Sequence, residues 1–359
     1  MEKDFTIWVP TKDRPDYLFR LLKYYNQTNF KGNIFIGDSS EGVSKEKNIE
    51  TVKNYSKFLN IYHTFHPNKA TGNVSAKLVE QIETEFSCFL GDDDLIIKSS
   101  IYPAVEHLKQ NDDVSGVNGK SILFTTYEDK ALSKINWTAE YQLANLEEKK
   151  PLARLKKNFN QLKNCNMCVL RTKNQKTVFR NVAKLDKLHS SYIFEELIGF
   201  SIMSLRGKIV QLPSLFLCRH GHSENSYHKY DSFDWLMDSN WNFSLNVLKE
   251  VMINELMKIE KINKKEALQI FKYIFWKYLS QELNEKFQRK YEIKNKNLYK
   301  GMIHKLLDKN LIVKNFLKKI RNLTNLNNNI YEDFSLNSLL NKRSPYNKDF
   351  LEIFKIISN

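Results

Sequence analysis

Glycine is scarce in this 359-residue chain (11 residues) and proline scarcer still (7). No G-x-G-x-x-G follows the first apolar run, and no G-x-x-x-x-G-K-[ST] occurs anywhere. Without those loops a classical dinucleotide-binding fold and a P-loop are both disfavoured. Four scattered cysteines offer no disulfide framework, which points to a reducing compartment. Cys165-Asn166-Met167-Cys168 has zinc-knuckle spacing, but no second pair completes a four-ligand site. Cys88 and Cys218 sit in apolar runs and read as small core residues. No window offers about twenty uninterrupted apolar residues, so no membrane-spanning helix is expected. Met1-Glu2-Lys3-Asp4 leads directly into a strand pattern, so no secretory signal is expected either.

The chain has enough apolar material for a real core: 42% of its residues are hydrophobic and 13% aromatic, which excludes global disorder. Its net charge of +15 favours a polyanion, whether nucleic acid, anionic lipid headgroups or a phosphate-bearing substrate, and does not choose among them.

Short β-rich runs alternate with helical patterns over the first ninety or so residues. Phe5–Val9, Asn33–Gly37, Asn60–Phe65 and Phe86–Leu90 read as strands; Asp16–Asn26, a polar segment after Ser40, and Asn73–Thr84 read as the helices between them. The alternation argues for a mostly parallel sheet with helices on both faces. Further on, Tyr102–Lys109 reads as a helix, Val117–Phe124 as a strand, and Cys168–Arg171 as another. Tyr127–Asn160 is polar, with Trp137 as its expected anchor, and reads as a lid or acceptor-facing insertion. A helix is expected to open near Glu195 and Glu196, followed by strands over Arg206–Val210 and up to Leu217. From about Phe233 only helical spacing remains, and lysines dominate, through to an Asn-rich connector at Asn322–Asn329. We therefore expect an α/β domain over residues 1–230 and a basic, all-helical C-terminal region over 231–359.

The candidate chemistry falls at equivalent places. Thr11 and Arg14 follow the first strand, Asp38 the second, and Asp92, Asp93 and Asp94 the fourth, so all three loops open on one edge of the sheet, where open α/β folds bind ligands. Three consecutive carboxylates repel unless something cationic neutralises them. One reading is a site for a divalent metal and a diphosphate; the other is an acidic turn that caps the following helix. Glu195 and Glu196 read either as acids favoured at a helix start or as a general base. His220 and His222 share one face of an extended segment and could ligate metal. His63 and His66 flank the third strand with no assigned role, and His189 and His228 read as surface residues.

In order and spacing these segments resemble the family 2 type of GT-A glycosyltransferases, over the first 230 or so residues. Val9-Pro10-Thr11-Lys12-Asp13-Arg14-Pro15 resembles the family's opening P-T-x-x-R loop, and Ile36-Gly37-Asp38-Ser39-Ser40 its second-strand D-x-S loop. The stretch from Gly72-Asn73 to Phe89-Leu90-Gly91-Asp92-Asp93-Asp94 resembles the lead into the DXD motif. Glu195-Glu196 with Gly207, then Arg219 and His222, resemble the E-D…G and R-x-x-H elements. The resemblance implies a GT-A (Rossmann-like) fold and a nucleotide-sugar donor, UDP-linked. It implies that Asp38, Thr11 and Arg14 line the nucleoside pocket. Asp92 and Asp94 would form the D-x-D pair, with Asp93 on the donor side. One of the pair would hold Mn²⁺ or Mg²⁺ against the diphosphate and the other the ribose, and His222 would complete the metal shell. Glu196, beside Glu195, would be the base that deprotonates a hydroxyl of a glycan or surface-polysaccharide acceptor, with inversion. The family commonly has Asp where Glu196 stands, and Gly91 replaces the first carboxylate of its D-x-D-D pattern.

The expected setting is cytoplasmic, with peripheral contact to the inner face of a membrane through the basic C-terminal helices, and no nucleic acid as partner. Two other classes remain open on the residues alone. A nucleotidyltransferase on a related fold would need a glycine-rich loop after strand one, and Pro10–Pro15 contains no glycine. A non-enzymatic membrane or nucleic-acid adaptor would explain the charge, but not a carboxylate-rich sheet edge that repels polyanions.

Overall fold

The computed structural model describes residues 4–67, 69, 71–185, 191–223, 232–288 and 333–358. His189, His228, the Asn-rich connector and the helices expected between 289 and 320 lie outside the described residues. The strands are β1 (Phe5–Thr11), β2 (Asn33–Asp38), β3 (Asn60–Phe65), β4 (Phe86–Phe89), β5 (Leu95–Ile96), β6 (Val114–Thr126), β7 (Ile135–Glu140), β8 (Val169–Arg171) and β9 (Lys208–His220). The helices are α1 (Pro15–Gln27), α2 (Gly42–Tyr55), α3 (Thr71–Glu80), α4 (Lys98–Gln110), α5 (Pro151–Gln161), α6 (Thr172–Val182), α7 (Ser191–Arg206), α8 (Ser232–Met237), α9 (Trp241–Glu260), α10 (Lys264–Phe287), α11 (Leu336–Leu340) and α12 (Asn347–Ser358).

The strands form one nine-stranded sheet in the order β3-β2-β1-β4-β8-β6-β9-β5, with β7 paired to β6. β1 pairs in parallel with β2 and β4, and β2 with β3. β8 is antiparallel to both β4 and β6, which returns β6 and β9 to the direction of the first four. β5 and β7 oppose them. The sheet is thus mostly parallel, and the loops after β1, β2 and β4 share its C-terminal edge.

Side chains alternate across a strand, and here the alternation divides the apolar core. Ile7 and Val9 of β1, with Ile34 and Ile36 of β2, face a cluster built from α1 and α4. Trp8 and Phe35, between them, face a second cluster under α3, α6 and α7. The C-terminal region divides in the same way. α9 and α10 pack on the second face, where Arg206 of α7 forms a two-pronged ion pair with Glu255 of α9 at 2.7 and 2.8 Å. α12 crosses to the first face and buries Phe350, Ile353, Ile356 and Ile357 with the residues of β1 and α1. The boundary near residue 230 therefore separates two kinds of sequence, but it does not separate two cores.

Several local expectations are corrected. The strands expected over Arg206–Val210 and up to Leu217 are one strand, β9, whose register against β6 slips between Gly119 and Ser121. α7 opens at Ser191, so Glu195 and Glu196 stand in its second turn and not at its start. Trp137 is half exposed on β7 and anchors nothing; Ile135, Leu143, Ala144 and Leu146 bury that stretch instead. Gly207, between α7 and β9, leaves no room for a β-carbon: one built there would stand 2.7 Å from the Ser115 amide nitrogen and 2.9 Å from the Asp113 carbonyl oxygen.

If α12 completes the first core, Phe350→Ala should cost about 3–5 kcal/mol in denaturant unfolding. An unchanged midpoint would detach α12 from that core.

Candidate functional site

β1 ends at Thr11, and the chain then turns sharply through Asp13, a non-glycine residue in the left-handed region (φ 54°). Asp13 ties the first loop to the second: its amide donates to Ser40 Oγ (2.7 Å), and its carboxylate accepts from the Glu41 amide (3.1 Å). Strain of this kind persists where surrounding contacts over-determine it, typically at ligand loops. It delivers Arg14 to the triplet. Arg14 Nη2 lies 2.5 Å from Asp92 Oδ1, and Nη1 donates to Asp93 Oδ2 at 3.1 Å. Thr11 Oγ1 donates to Asp92 Oδ2 at 2.6 Å.

Asp38 is fully buried at the end of β2. Its carboxylate accepts from the Ser40 amide (2.8 Å), Asn48 Nδ2 (2.9 Å) and His63 Nε2 (3.1 Å). Burial alone would raise its pKa, but the bonds from His63, Ser40 and Asn48 outweigh it and hold the carboxyl below the ordinary range. An ionised acceptor set this deep suits an N–H or O–H donor of a ligand.

The three triplet carboxylates are buried and face different partners. Asp93 accepts from His222 Nε2 at 2.9 Å; this bond and the Arg14 charge outweigh burial and keep it well below the usual range. Asp94 Oδ1 accepts from the His220 amide at 3.0 Å. Burial and the charge of Asp93 push Asp94 up to about 7, and burial lifts Asp92 to about 6 despite the Arg14 charge. His220 and His222 lie on one side of the chain, as their spacing implied, with ring centroids 5.0 Å apart. Burial, then Arg20 and His222, push His220 down to about 3, so it is neutral and its Nδ1 accepts from Arg20 Nη1 (3.1 Å). His222 stacks on Tyr17, and its Nδ1 is buried without a hydrogen-bond partner among the described residues.

Glu195 and Glu196 approach from α7. Glu195 packs on the first turn of α3: a β-carbon at Gly72 would stand 2.5 Å from Glu195 Oε1. Glu196 lines a cleft of about 480 Å³ with Tyr141, Lys163, Asn164, Phe200 and Arg219. Arg219 lies 4.9 Å over the Tyr141 ring and donates to the Tyr141 hydroxyl. Its charge is reinforced, against burial, by Asp94, Tyr141 and Glu196, so it stands electrostatically between the triplet and Glu196.

Arg20 and Tyr141 were not singled out in the sequence, and His63 was noted there without a role. Arg20 is fully buried, yet it sits among Tyr17, Leu21 and Tyr24 on the apolar stripe of α1, and a cation on such a stripe is itself a signal. Its Nη2 donates to the Asp93 carbonyl (2.5 Å) and its Nη1 to the Ala131 carbonyl (2.9 Å). His63 meets Asp38 because β3 pairs in parallel with β2. Tyr141 carries no local signal.

Carboxylate oxygens with one imidazole are a donor set that suits a hard divalent cation. Arg14 and His222 hold two of the three carboxylates here. Among the described residues no group of three or more His, Cys, Asp or Glu side chains is arranged around a common point, so Asp92, Asp94 and His222 do not converge as drawn from sequence. Cys165 and Cys168 are buried with thiols raised by burial, Cys168 to about 12, and read as core residues.

No family model matches the chain, and no curated protein matches it in sequence. Among solved structures it is similar to S. aureus TarS residues 1–349 in complex with UDP-GlcNAc. The TM-score is 0.52 at 14% identity, over 81% of this chain and 77% of that one. The same TarS fragment described without a ligand aligns at a TM-score of 0.49 and 15% identity, over 81% and 76% of the two chains. The first alignment shows a shared fold, and the expected GT-A glycosyltransferase fold is that of this chain.

A carboxyl whose pKa is raised by folding binds its proton more tightly folded than unfolded. Metal-free protein should therefore lose stability as pH rises from about 4 to about 7, the range over which Asp94 titrates. His220, depressed on folding, acts in the opposite direction below its ordinary range, so the comparison is made against Asp94→Asn, which retains that contribution. In melting curves under chelator, wild type should fall relative to Asp94→Asn over this window; parallel curves would mean Asp94 is not held protonated.

Proposed function

We propose that the chain transfers a sugar from a nucleotide-sugar donor, UDP-linked, to a hydroxyl of a glycan or surface-polysaccharide acceptor, with inversion. One observation carries this reading: on a GT-A fold, Thr11, Arg14, Asp38 and the Asp92–Asp94 triplet meet on one sheet edge, with Glu196 in an adjoining open cleft. The similar TarS structure holds UDP-GlcNAc, which supports a UDP-sugar as donor.

In this reading Asp38 accepts a hydrogen bond from the nucleoside, and Thr11 and Arg14 line the same pocket. Asp92, Asp94 and His222 are the side chains that would hold Mn²⁺ or Mg²⁺ once drawn together, and the ion would supply neutralisation of the leaving diphosphate. Glu196, with Glu195 behind it, takes the proton of the acceptor hydroxyl. The acceptor oxygen bonds to the anomeric carbon as the bond from that carbon to the donor phosphate oxygen breaks, and the nucleoside diphosphate departs with that electron pair. Arg219, between the triplet and Glu196, keeps two anionic centres apart from one another's charge.

Two measurements check the reading. A ligand that binds only the folded state raises the melting midpoint by mass action; a screen of UDP, GDP, CMP and dTDP, each with and without Mn²⁺, should show the largest, metal-dependent shift with UDP. No shift with any nucleotide would remove the donor pocket. Glu196→Gln should retain the UDP shift and lower transfer by roughly 10²–10⁴-fold, the usual contribution of a general base. Turnover like that of wild type would dismiss Glu196 from that role.

A further inference from the structure

Helix α10 turns Phe271, Ile274, Phe275 and Tyr278 into the second core. Its opposite side is not the purely polar face that a solvated helix presents. Lys265, Lys272 and Trp276 recur there at helical spacing, flanked by Tyr273 and Lys277. Trp276 is 57% exposed and Tyr273 59%, so more than half of each side chain is open to solvent, although Trp276 meets Phe275 edge-on at 6.1 Å. Lys156 of α5 stands 5.7 Å over the Tyr273 ring and extends the basic surface onto the neighbouring helix. Two of the three acids of α10 are engaged elsewhere: Glu266 closes the capping box with Asn263, and Glu282 pairs with Lys286 at 3.7 Å on another flank; the third, Glu285, lies more than two turns beyond Trp276.

We propose that this face of α10, with Lys156, docks on an anionic lipid bilayer. Lysines of one sign complement the negative surface potential of such a membrane. Trp and Tyr are the residues that settle at the headgroup level, and a convex helix presenting both lies in the interface plane. No helix among the described residues is long and apolar enough to span a membrane, so the contact is peripheral. The surface also leads to the cleft. α5 carries Lys156, and the residues just past its end, Leu162, Lys163 and Asn164, line the cleft beside Glu196. Six residues of helix rise about 9 Å, so an acceptor chain tethered to the bilayer meets the cleft close to the surface. That last link rests on the proposed transfer; the docking itself does not.

The test is flotation of the full-length protein with vesicles of phosphatidylcholine alone and of phosphatidylcholine mixed with phosphatidylglycerol. It is run at low and high salt on wild type, on Trp276→Ser with Tyr273→Ser, and on Lys265→Gln with Lys272→Gln and Lys277→Gln. All five positions are exposed, and circular dichroism checks that the variants fold. We expect salt-sensitive binding to the anionic vesicles only, weakened at least roughly tenfold in either variant. Absence of binding by wild type, or undiminished binding by both variants, would overturn the proposal. So would loss in the aromatic variant of a dimer seen by light scattering without vesicles, which would give the face to a second copy. Binding to a DNA or RNA oligonucleotide in place of vesicles would do the same. UDP thermal shifts on the same samples keep failure of the docking distinct from failure of the transferase reading.

Discussion

Burying three consecutive carboxylates is the constraint on which this site depends. An isolated buried charge costs several kcal/mol even after relaxation, so Asp92, Asp93 and Asp94 persist only because cations and donors reach them from several directions. Arg14 comes from the loop after β1, His222 and the His220 amide from the end of β9, and Arg20 from the interior of α1. These partners come from three different parts of the chain, which can meet only if β1, β4 and β9 are in register. The compensation is incomplete by design of the geometry: Asp94 is held near 7 while Asp93 stays ionised. The site is therefore built around an anionic centre with unequal carboxylates, ready for a cationic or proton-donating partner.

Arg20 shows how deep that compensation goes. A fully buried guanidinium is costly unless its donors are used, and its two terminal nitrogens are spent on the Asp93 and Ala131 carbonyls and on His220. It clamps the triplet's backbone to α1, while Phe124 stacks flat on His220 at 4.6 Å from the far side. A single neutral imidazole thus joins two strands and a helix behind the carboxylates, which fixes their direction without adding a charge.

Much of this was legible in the sequence, for reasons that lie in short-range chemistry. The strands β1 to β4 are apolar runs cut by polar loops, and parallel pairing follows once helices intervene. Thr11, Arg14, Asp38 and the triplet could be assigned to one edge because each directly follows a strand. Other features have no local signature. His63 meets Asp38 only through strand pairing, and Tyr141 meets Arg219 across the sheet. β5 has two residues, too few for a pattern, and the slip in β9 concealed one strand as two. Glu195 and Glu196 were misplaced by one turn because their charges were read as marking the start of the helix, which opens four residues earlier at Ser191. The division of the C-terminal helices between two faces of the sheet is likewise invisible until α12 is seen beside α1.

That return of α12 to α1 has a consequence for biosynthesis. A polypeptide emerges from the ribosome from its N-terminus at ~5–20 residues per second, so on the order of tens of seconds separate the appearance of α1 from that of the helix that covers it. Through that interval the nascent chain carries an apolar surface that, among the described residues, α12 covers. The N-terminal half is thus a natural client for a chaperone, and translation arrest late in the message leaves an adhesive fragment in place of a smaller, finished domain.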